Sequence, residues 1–130
     1  MFSKVTNGIR VTAMPLHVPE QSFPEDNLYT WIYHIIIENQ GESTVQLISR
    51  YWRIINSFGE VNEVRGKGVV GEQPVIKPGT AYEYTSSCQL KTNSGIMQGE
   101  YYLKTLDGRE ITIEIPPFSL DIPYNIYTIN

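Results

Sequence analysis

The 130-residue sequence contains a single cysteine, Cys88, and an excess of acidic over basic side chains. One thiol can form neither an internal disulfide nor a metal site built from several thiolates. Ten Lys and Arg stand against fourteen Asp and Glu, a net charge of −4, so the basic surface that binds a nucleic-acid backbone is missing. We therefore expect no bound metal, no cofactor and no nucleic-acid partner.

Long apolar segments are also missing. The longest, residues 31–37, contains His34 and is far shorter than the roughly 20 residues that span a bilayer. The N-terminal residues lack the charged-then-apolar order of a secretion signal. An unpaired thiol is typical of a reducing compartment. The sequence therefore predicts a cytoplasmic protein that does not act at a membrane.

What the sequence does contain is a series of short segments with strand character. In residues 110–115 isoleucine alternates strictly with polar residues, which is the period of a half-buried strand. The dipeptide at 107–108, Asp-Gly, precedes this segment and indicates a tight hairpin whose partner strand covers 99–105. The prolines at 116–117 are predicted to end the isoleucine strand.

Two central segments differ in how clearly their inner face can be assigned. In residues 29–38 the odd positions are all apolar and are predicted to face a core; they are Trp31, Tyr33, Ile35 and Ile37. In residues 45–56 both faces are mixed, so the pattern leaves open whether Tyr51 or Trp52 points inward.

The remaining segments complete an all-β pattern. We expect a first strand over 8–13, further strands over 60–65, 80–86 and 118–122, and a polar loop over 18–27. About seven or eight strands separated by turn-forming residues predict an antiparallel β-sandwich of the immunoglobulin or fibronectin type III kind. With no internal boundary in composition, residues 1–130 are expected to form a single domain.

Residues 66–71, Gly-Lys-Gly-Val-Val-Gly, match the pattern GxGxxG. In dinucleotide-binding folds this pattern places a pyrophosphate at a helix N-terminus, but Pro74 and the strand-rich surroundings predict a connection between strands instead. Consecutive backbone amides in such a loop can still bind an anion without a helix. The candidate ligands for a pyrophosphate or a nucleoside polyphosphate are Arg65, Gly66, Lys67, Gly68 and Gly71, with Lys77 as a further source of positive charge.

Residues that could support catalysis are few. Neither His17 nor His34 has a His or Cys partner at a metal-ligand spacing, and His34 is expected to be a half-buried strand residue. Cys88 has no neighbouring His to lower its pKa and is predicted to be an inert thiol. No GxSxG segment is present. We predict that the protein is not an enzyme.

Tyrosine is abundant, with nine residues, and some are expected on the surface, where they suit protein interfaces. Candidates for this role are Tyr101, Tyr102, Tyr124 and Tyr127. The tail over 121–130 is apolar for a terminus, so it is expected to pack along the domain or to pair with a second copy of the chain. A homodimer is one expected assembly.

Several segments together resemble the ApaG family, whose members are also called CorD. The matching segments are 51–55, 59–61, 63–74, 77–79, 84–86 and 115–120, so the resemblance runs from about residue 9 to residue 120. The stretch VRGKGVVGEQP at 64–74 is the most specific part of it.

The resemblance implies a fibronectin type III-like fold and suggests what the protein does. The name ApaG comes from genetic neighbourhood with a diadenosine-tetraphosphate hydrolase, and the name CorD from a link to cobalt and magnesium resistance. Related domains in larger proteins serve as interaction modules. We therefore expect a non-catalytic binding module for an unidentified protein partner, with an indirect role in cobalt or magnesium resistance. The alternative is a pyrophosphate or nucleoside polyphosphate binder that uses residues 66–71.

Overall fold

The computed structural model describes residues 1–123, which form two antiparallel sheets. Its strands are β1 Phe2–Thr6, β2 Ile9–His17, β3 Tyr29–Asn39, β4 Val45–Asn56, β5 Val61–Lys67, β6 Val75–Ile76, β7 Ala81–Leu90, β8 Gly95–Thr105 and β9 Glu110–Leu120. Two short 3₁₀ turns, Pro19–Gln21 and Pro24–Asp26, occupy the predicted loop between β2 and β3. The predicted antiparallel β-sandwich is confirmed.

The order of the strands in each sheet defines the topology. One sheet is β1-β2-β3-β7, and the other is β5-β4-β8-β9 with β6 also paired to β4. Their inner faces enclose a core whose largest fully buried side chains include Trp31, Tyr101 and Phe118. No helix within residues 1–123 is long and apolar enough to cross a membrane.

The two lateral sides of the sandwich differ. Along β1 and β9 the sheets are bonded together, because Asn7 donates to the Thr112 carbonyl at 3.2 Å and Lys4 forms an ion pair with Glu114. On the opposite side β5 and β7 are the edge strands, and within residues 1–123 no hydrogen bond joins them. We call the side between β5 and β7 the open side.

The hairpin between β8 and β9 forms as predicted. Gly108 has φ +85°, and the Thr105 amide donates to the Arg109 carbonyl at 2.9 Å. The predicted strand end at residues 116–117 is wrong, because β9 continues through both prolines to Leu120. The register of β8 and β9 shifts between Met97 and Gly99, and proline is tolerated at a bulge of an edge strand because little or no ladder hydrogen bond is lost.

The predicted first strand is in fact the second. β1 precedes it and pairs with β2 through the dipeptide Asn7-Gly8, whose φ angles are +51° and +76°. Both angles are positive, as in the tight turns that Asn-Gly favours. The signal for β1 was therefore present in the sequence as an Asn-Gly turn.

A bulge in β4 decides which of its residues face the core. Val45 and Leu47 are buried, and the register with β8 then shifts between Leu47 and Ser49. Beyond the shift the inward residues are even-numbered, so Trp52 is buried with 3% of its surface exposed, and Tyr51 faces outward. The same shift places Arg50 on the inner face. On β3 the four odd positions are all buried, as predicted.

The expected exposure of tyrosines is corrected in one case. Tyr101 is completely buried on the inner face of β8, with 0% of its surface exposed, whereas Tyr102 is half-buried. Tyr124, Tyr127 and most of the tail lie outside the described residues, so its predicted packing or pairing stays a prediction. The prediction that residues 1–130 form a single domain likewise stays a prediction.

Candidate functional site

Residues 66–72, which we call the glycine connection, form the end of β5 and a tight turn. Val69 and Glu72 exchange two backbone hydrogen bonds of 2.8 and 2.9 Å. The two residues between them, Val70 and Gly71, have φ +43° and +81°, which is the pattern of a two-residue hairpin turn. No helix follows the turn, so the segment is a strand-to-strand connection, as predicted.

Gly68 is required by the turn itself. Its φ is +63°, and a Cβ atom at this position would lie 2.1 Å from the Glu72 carbonyl oxygen. Its amide donates to the Ile48 carbonyl at 2.8 Å. This glycine therefore serves the close approach of two backbone segments, and its amide is already used.

The bulge of β4 also holds the glycine connection in place. The Ile48 carbonyl lies at the bulge and accepts a second hydrogen bond, from the Gln73 side-chain amide at 2.9 Å. Gln46 in turn donates to the Gln73 carbonyl at 3.1 Å, and Val69 is fully buried. The connection is thus bound to β4 at several points and is preorganised.

The guanidinium group of Arg50 lies directly over Gly66, where a Cβ atom would come within 2.7 Å of the guanidinium carbon. Its Nη1 donates to the carbonyls of Lys67 at 3.2 Å and Gly68 at 2.9 Å. Among residues 1–123, no carboxylate forms a salt bridge with Arg50, and its Nε and Nη2 have no hydrogen-bond acceptor. Within the described residues Arg50 therefore keeps an unneutralised charge and two donor groups without an acceptor.

A cavity of about 280 Å³ lies next to Arg50, between the sheets on the open side. We call it the Arg50 cavity. The residues that line it come from β3, β4, β7 and the glycine connection, and they are Tyr33, Arg50, Trp52, Lys67, Val69, Val70, Gly71, Tyr84 and Ser86. This lining contains hydroxyl groups and basic residues and no Asp or Glu, so it is rich in hydrogen-bond donors.

The phenol groups at the cavity stay protonated at neutral pH. Burial raises the pKa of Tyr33, even though Ser86 and the positive charge of Arg50 act in the opposite direction. Burial likewise raises the pKa of Tyr84 and of Tyr101, and the hydroxyls of these two residues are hydrogen-bonded to each other. Each phenol can therefore donate a hydrogen bond.

The residues predicted as anion ligands do not all converge on this cavity. Lys67 and Gly71 line it, and Gly66 lies beneath the guanidinium of Arg50. Arg65 lies on the outer face of the sheet, with its guanidinium carbon 4.2 Å from the centre of the Tyr51 ring. Lys77 is exposed in the turn after β6 and is not among the lining residues.

Arg50 is the residue that sequence reasoning missed. Its position in a strand with two mixed faces gave no reason to place it inside. The one signal available was Gly66, which pairs with Arg50 across β4 and β5. A glycine at that position leaves room for a long side chain on the neighbouring strand to lie over its backbone.

The histidines and the cysteine make ordinary structural contacts. His34 is half-buried, as predicted, and its two ring nitrogens contact Thr85 at 2.8 Å and Glu83 at 2.9 Å. Burial raises the pKa of the Cys88 thiol to about 11, which agrees with the predicted inert thiol. Within residues 1–123 no group of three or more His, Cys, Asp or Glu is placed to hold a metal ion.

Comparison with known proteins gives consistent matches. A family model described as the ApaG domain matches residues 19–105. Protein ApaG of Brucella suis biovar 1 (strain 1330) is 53% identical over 130 residues, which is the full length of both chains. Protein ApaG of Rhodospirillum centenum is 51% identical over 124 residues, 95% of each chain.

A solved structure matches over a similar extent. The crystal structure of a Bordetella pertussis protein described as ApaA superposes with a TM-score of 0.87 at 41% sequence identity. The alignment covers 90% of this chain and 95% of that chain.

Proposed function

This chain belongs to the ApaG family, and from that premise we propose that it is a non-catalytic binding module of the cytoplasm that recognises another protein. The observation that supports this proposal best is the open side of the sandwich. Both sheets end there in an edge strand, β5 and β7. An edge strand offers unpaired backbone groups to which a partner can add a strand.

The surface near these edges has the chemistry of a contact site. Val61 of β5 is an exposed apolar residue, with 47% of its surface accessible. It lies beside a second cavity, of about 290 Å³, whose lining includes Ile54, Asn62 and Leu90. Apolar side chains beside free backbone groups are the combination that strand addition uses, because main-chain bonds supply affinity and side-chain pockets supply specificity.

The test is affinity capture from the extract of the native cell, with variants that alter the open side. We expect the double variant Val61→Lys, Asn62→Lys to lose a protein that the unaltered chain retains, because lysines on an edge oppose strand addition. Leu106→Lys is the matched control, since Leu106 is an apolar residue 85% exposed in the β8–β9 turn. Retention of no protein above background, or equal loss in the control, contradicts the proposal.

Two further features belong to this proposal. A second copy of the chain could use the same edges, and light scattering of the purified protein tests such a homodimer. We also propose an indirect role in cobalt or magnesium resistance, which acts through the protein partner. Membranes and nucleic acids are not among the partners proposed.

A second candidate function is the binding of pyrophosphate or a nucleoside polyphosphate at the glycine connection. The observation that favours it is that Lys67 and Gly71 line a cavity without a carboxylate. Titration of the purified protein with pyrophosphate and with diadenosine tetraphosphate, each with and without Mg²⁺ or Co²⁺, tests this candidate. Absence of saturable binding at millimolar ligand contradicts it.

A further inference from the structure

We propose that the Arg50 cavity is a receptor for one phosphate-type oxyanion, and that Arg50 and Tyr84 are its principal ligands. This inference rests on the second candidate function above and names the groups that bind the anion. It moves the principal ligands from the glycine connection itself to Arg50 and Tyr84, which line the same cavity from the two facing sheets.

The charge of the cavity supports an anionic ligand. Arg50 faces inward on β4 and has no carboxylate partner within residues 1–123, and none of the lining residues is acidic although the whole chain carries a net charge of −4. A partly buried guanidinium group is stabilised by an anion that accepts two of its N–H hydrogen bonds at once. Nη1 is used by two backbone carbonyls, which leaves Nε and Nη2 for the ligand.

The hydroxyl pair supplies a second donor with a defined direction. Tyr101 is fully buried, and its hydroxyl forms a hydrogen bond with Tyr84 and with no other group among residues 1–123. Because a buried O–H that lacks an acceptor is costly, Tyr101 donates and the Tyr84 oxygen accepts. The proton of Tyr84 then has no acceptor among residues 1–123, and since Tyr84 lines the cavity, it is available to a ligand there.

The size of the cavity limits the ligand. Its volume of about 280 Å³ lies just below the roughly 300–1,000 Å³ of cavities that enclose a drug-sized molecule. A phosphate group fits such a space, whereas the two nucleosides of a dinucleoside polyphosphate remain outside. Arg50 on β4 and Tyr84 on β7 offer donors from two sheets, and Val70 and Gly71, whose amides are bonded to no other residue in 1–123, also line the cavity. Donors from several directions suit a tetrahedral anion better than a planar carboxylate.

The alternative role for Arg50 is purely structural. Its two hydrogen bonds to the glycine connection could serve only to hold that turn against β5. If the role is only structural, replacement of Arg50 lowers the free energy of unfolding. It then weakens anion binding no more than replacement of an arginine on the outer surface does. The experiment therefore compares Arg50 with another arginine and includes a variant that leaves the turn contacts intact.

The experiment is a ¹H–¹⁵N NMR titration of the purified chain with sodium phosphate, pyrophosphate and acetate at constant ionic strength. We expect saturable shifts of the Val70 and Gly71 amides with phosphate or pyrophosphate and none with acetate. Arg50→Gln should weaken binding about tenfold or more, since a charge-assisted hydrogen bond is lost. Tyr84→Phe should weaken it several-fold without altering the Arg50 contacts.

Arg65→Gln is the matched control, because it removes the same charge from the outer face of the sheet. We expect it to bind phosphate as the unaltered chain does. Equal weakening by Arg65→Gln and Arg50→Gln, or equal affinity for acetate and phosphate, overturns the proposal.

The outcomes separate this inference from the candidate function on which it rests. Pyrophosphate binding that survives both Arg50→Gln and Tyr84→Phe refutes the Arg50 cavity and leaves the second candidate function standing. No saturable shift with either phosphate ligand refutes both. Tighter binding of pyrophosphate than of phosphate supports the proposal and indicates the terminal phosphate of a phosphoanhydride as ligand. Equal affinity supports the proposal with the free ion as ligand.

Discussion

Tyr84 of β7 and Tyr101 of β8 join their hydroxyl groups by a hydrogen bond inside the sandwich, from opposite sheets. Tyr101 is fully buried, and Tyr84 also reaches the Arg50 cavity. The two hydroxyls are therefore not equivalent. Within residues 1–123 the Tyr101 hydroxyl has Tyr84 as its one hydrogen-bond partner, whereas Tyr84 also lines the cavity.

This difference predicts unequal effects of removing each hydroxyl. Tyr84→Phe leaves the buried Tyr101 hydroxyl without an acceptor and should lower the free energy of unfolding by about 1–3 kcal/mol. After Tyr101→Phe the Tyr84 hydroxyl can still bond to water in the cavity that Tyr84 lines, so this variant should cost about 0.5–1.5 kcal/mol. Urea unfolding followed by tryptophan fluorescence measures both values.

The double variant is the control for this comparison. Replacement of both hydroxyls leaves no unpaired group, so its cost should be smaller than the sum of the two single costs. A larger cost for Tyr101→Phe than for Tyr84→Phe contradicts the direction assigned to the hydrogen bond.

Alkaline pH should destabilise the protein. Burial raises the pKa of Tyr84 and of Tyr101 above the ordinary value of 10.0, and that of Cys88 from 9.0 to about 11. Groups whose pKa is raised in the folded state stabilise it fully below their unfolded pKa, and this contribution is lost as the pH rises toward the folded pKa. The contribution of these three groups should therefore be constant below about pH 9 and fall steadily above it.

The measurement is urea unfolding across that pH range, together with tyrosinate absorbance. We expect ionisation of the two buried tyrosines to coincide with unfolding. Above pH 9 the free energy of unfolding of the Tyr84→Phe, Tyr101→Phe double variant should fall less than that of the unaltered chain. If the free energy of unfolding falls with pH equally in that variant and in the unaltered chain, groups other than the two tyrosines cause the alkaline destabilisation.

The thiol of Cys88 should be unreactive in the folded protein. With a pKa of about 11 compared with 9.0 for an unperturbed thiol, its thiolate fraction at pH 8 is about 100-fold lower, and burial adds a steric barrier. Iodoacetamide should therefore modify the native chain at least about 100-fold more slowly than the urea-unfolded chain, as measured by mass spectrometry.

A relocated thiol supplies the control. In the variant Cys88→Ser, Ser87→Cys the thiol moves to an exposed position of the same strand, and it should react in the native state at nearly the unfolded rate. Rapid modification of native Cys88 contradicts the buried, inert thiol.

Two glycines of the glycine connection should tolerate alanine differently. Gly68 and Gly71 both have positive φ, but a Cβ atom at Gly68 meets the Glu72 carbonyl oxygen at 2.1 Å, and one at Gly71 meets nothing within 4 Å. Gly71→Ala should cost about 1–2 kcal/mol, the penalty for a left-handed L-residue. Gly68→Ala should cost at least about twice as much, because the turn must also move.

Urea unfolding measures both costs, and the amide shifts of Val69 and Glu72 report whether the turn has moved. Equal costs for the two variants contradict the close approach at Gly68. The comparison also shows why substitution of Gly68 is a poor test of ligand binding, since it distorts the turn directly.

Much of the fold follows from local patterns, and the exceptions have identifiable causes. The turn at Gly108, the inward face of β3 and the absence of a helix after the glycine pattern were all predicted from alternation and turn chemistry. The predicted strand end at residues 116–117 was wrong because the cost of proline depends on whether a strand lies at an edge. The sequence of β9 alone does not contain that information.

The candidate site was predicted less completely. The glycine connection was identified, but Arg65 and Lys77 were assigned to it by proximity along the chain, and the structure places both away from the Arg50 cavity. Arg50 lies 16 positions before Gly66 and reaches it only across a pair of strands. Tyr84 belongs to the opposite sheet.

The sequence alone determined where the chain extends, where it turns and which faces of its regular strands are apolar, because these depend on steric preferences within a few residues. Tertiary structure alone decided that Arg50 faces inward and that it lines the same cavity as Tyr84 of the opposite sheet. The physical reason is the bulge in β4. Beyond it, even-numbered residues face inward in place of odd-numbered ones, and the bulge is defined only by how β4 pairs with β8.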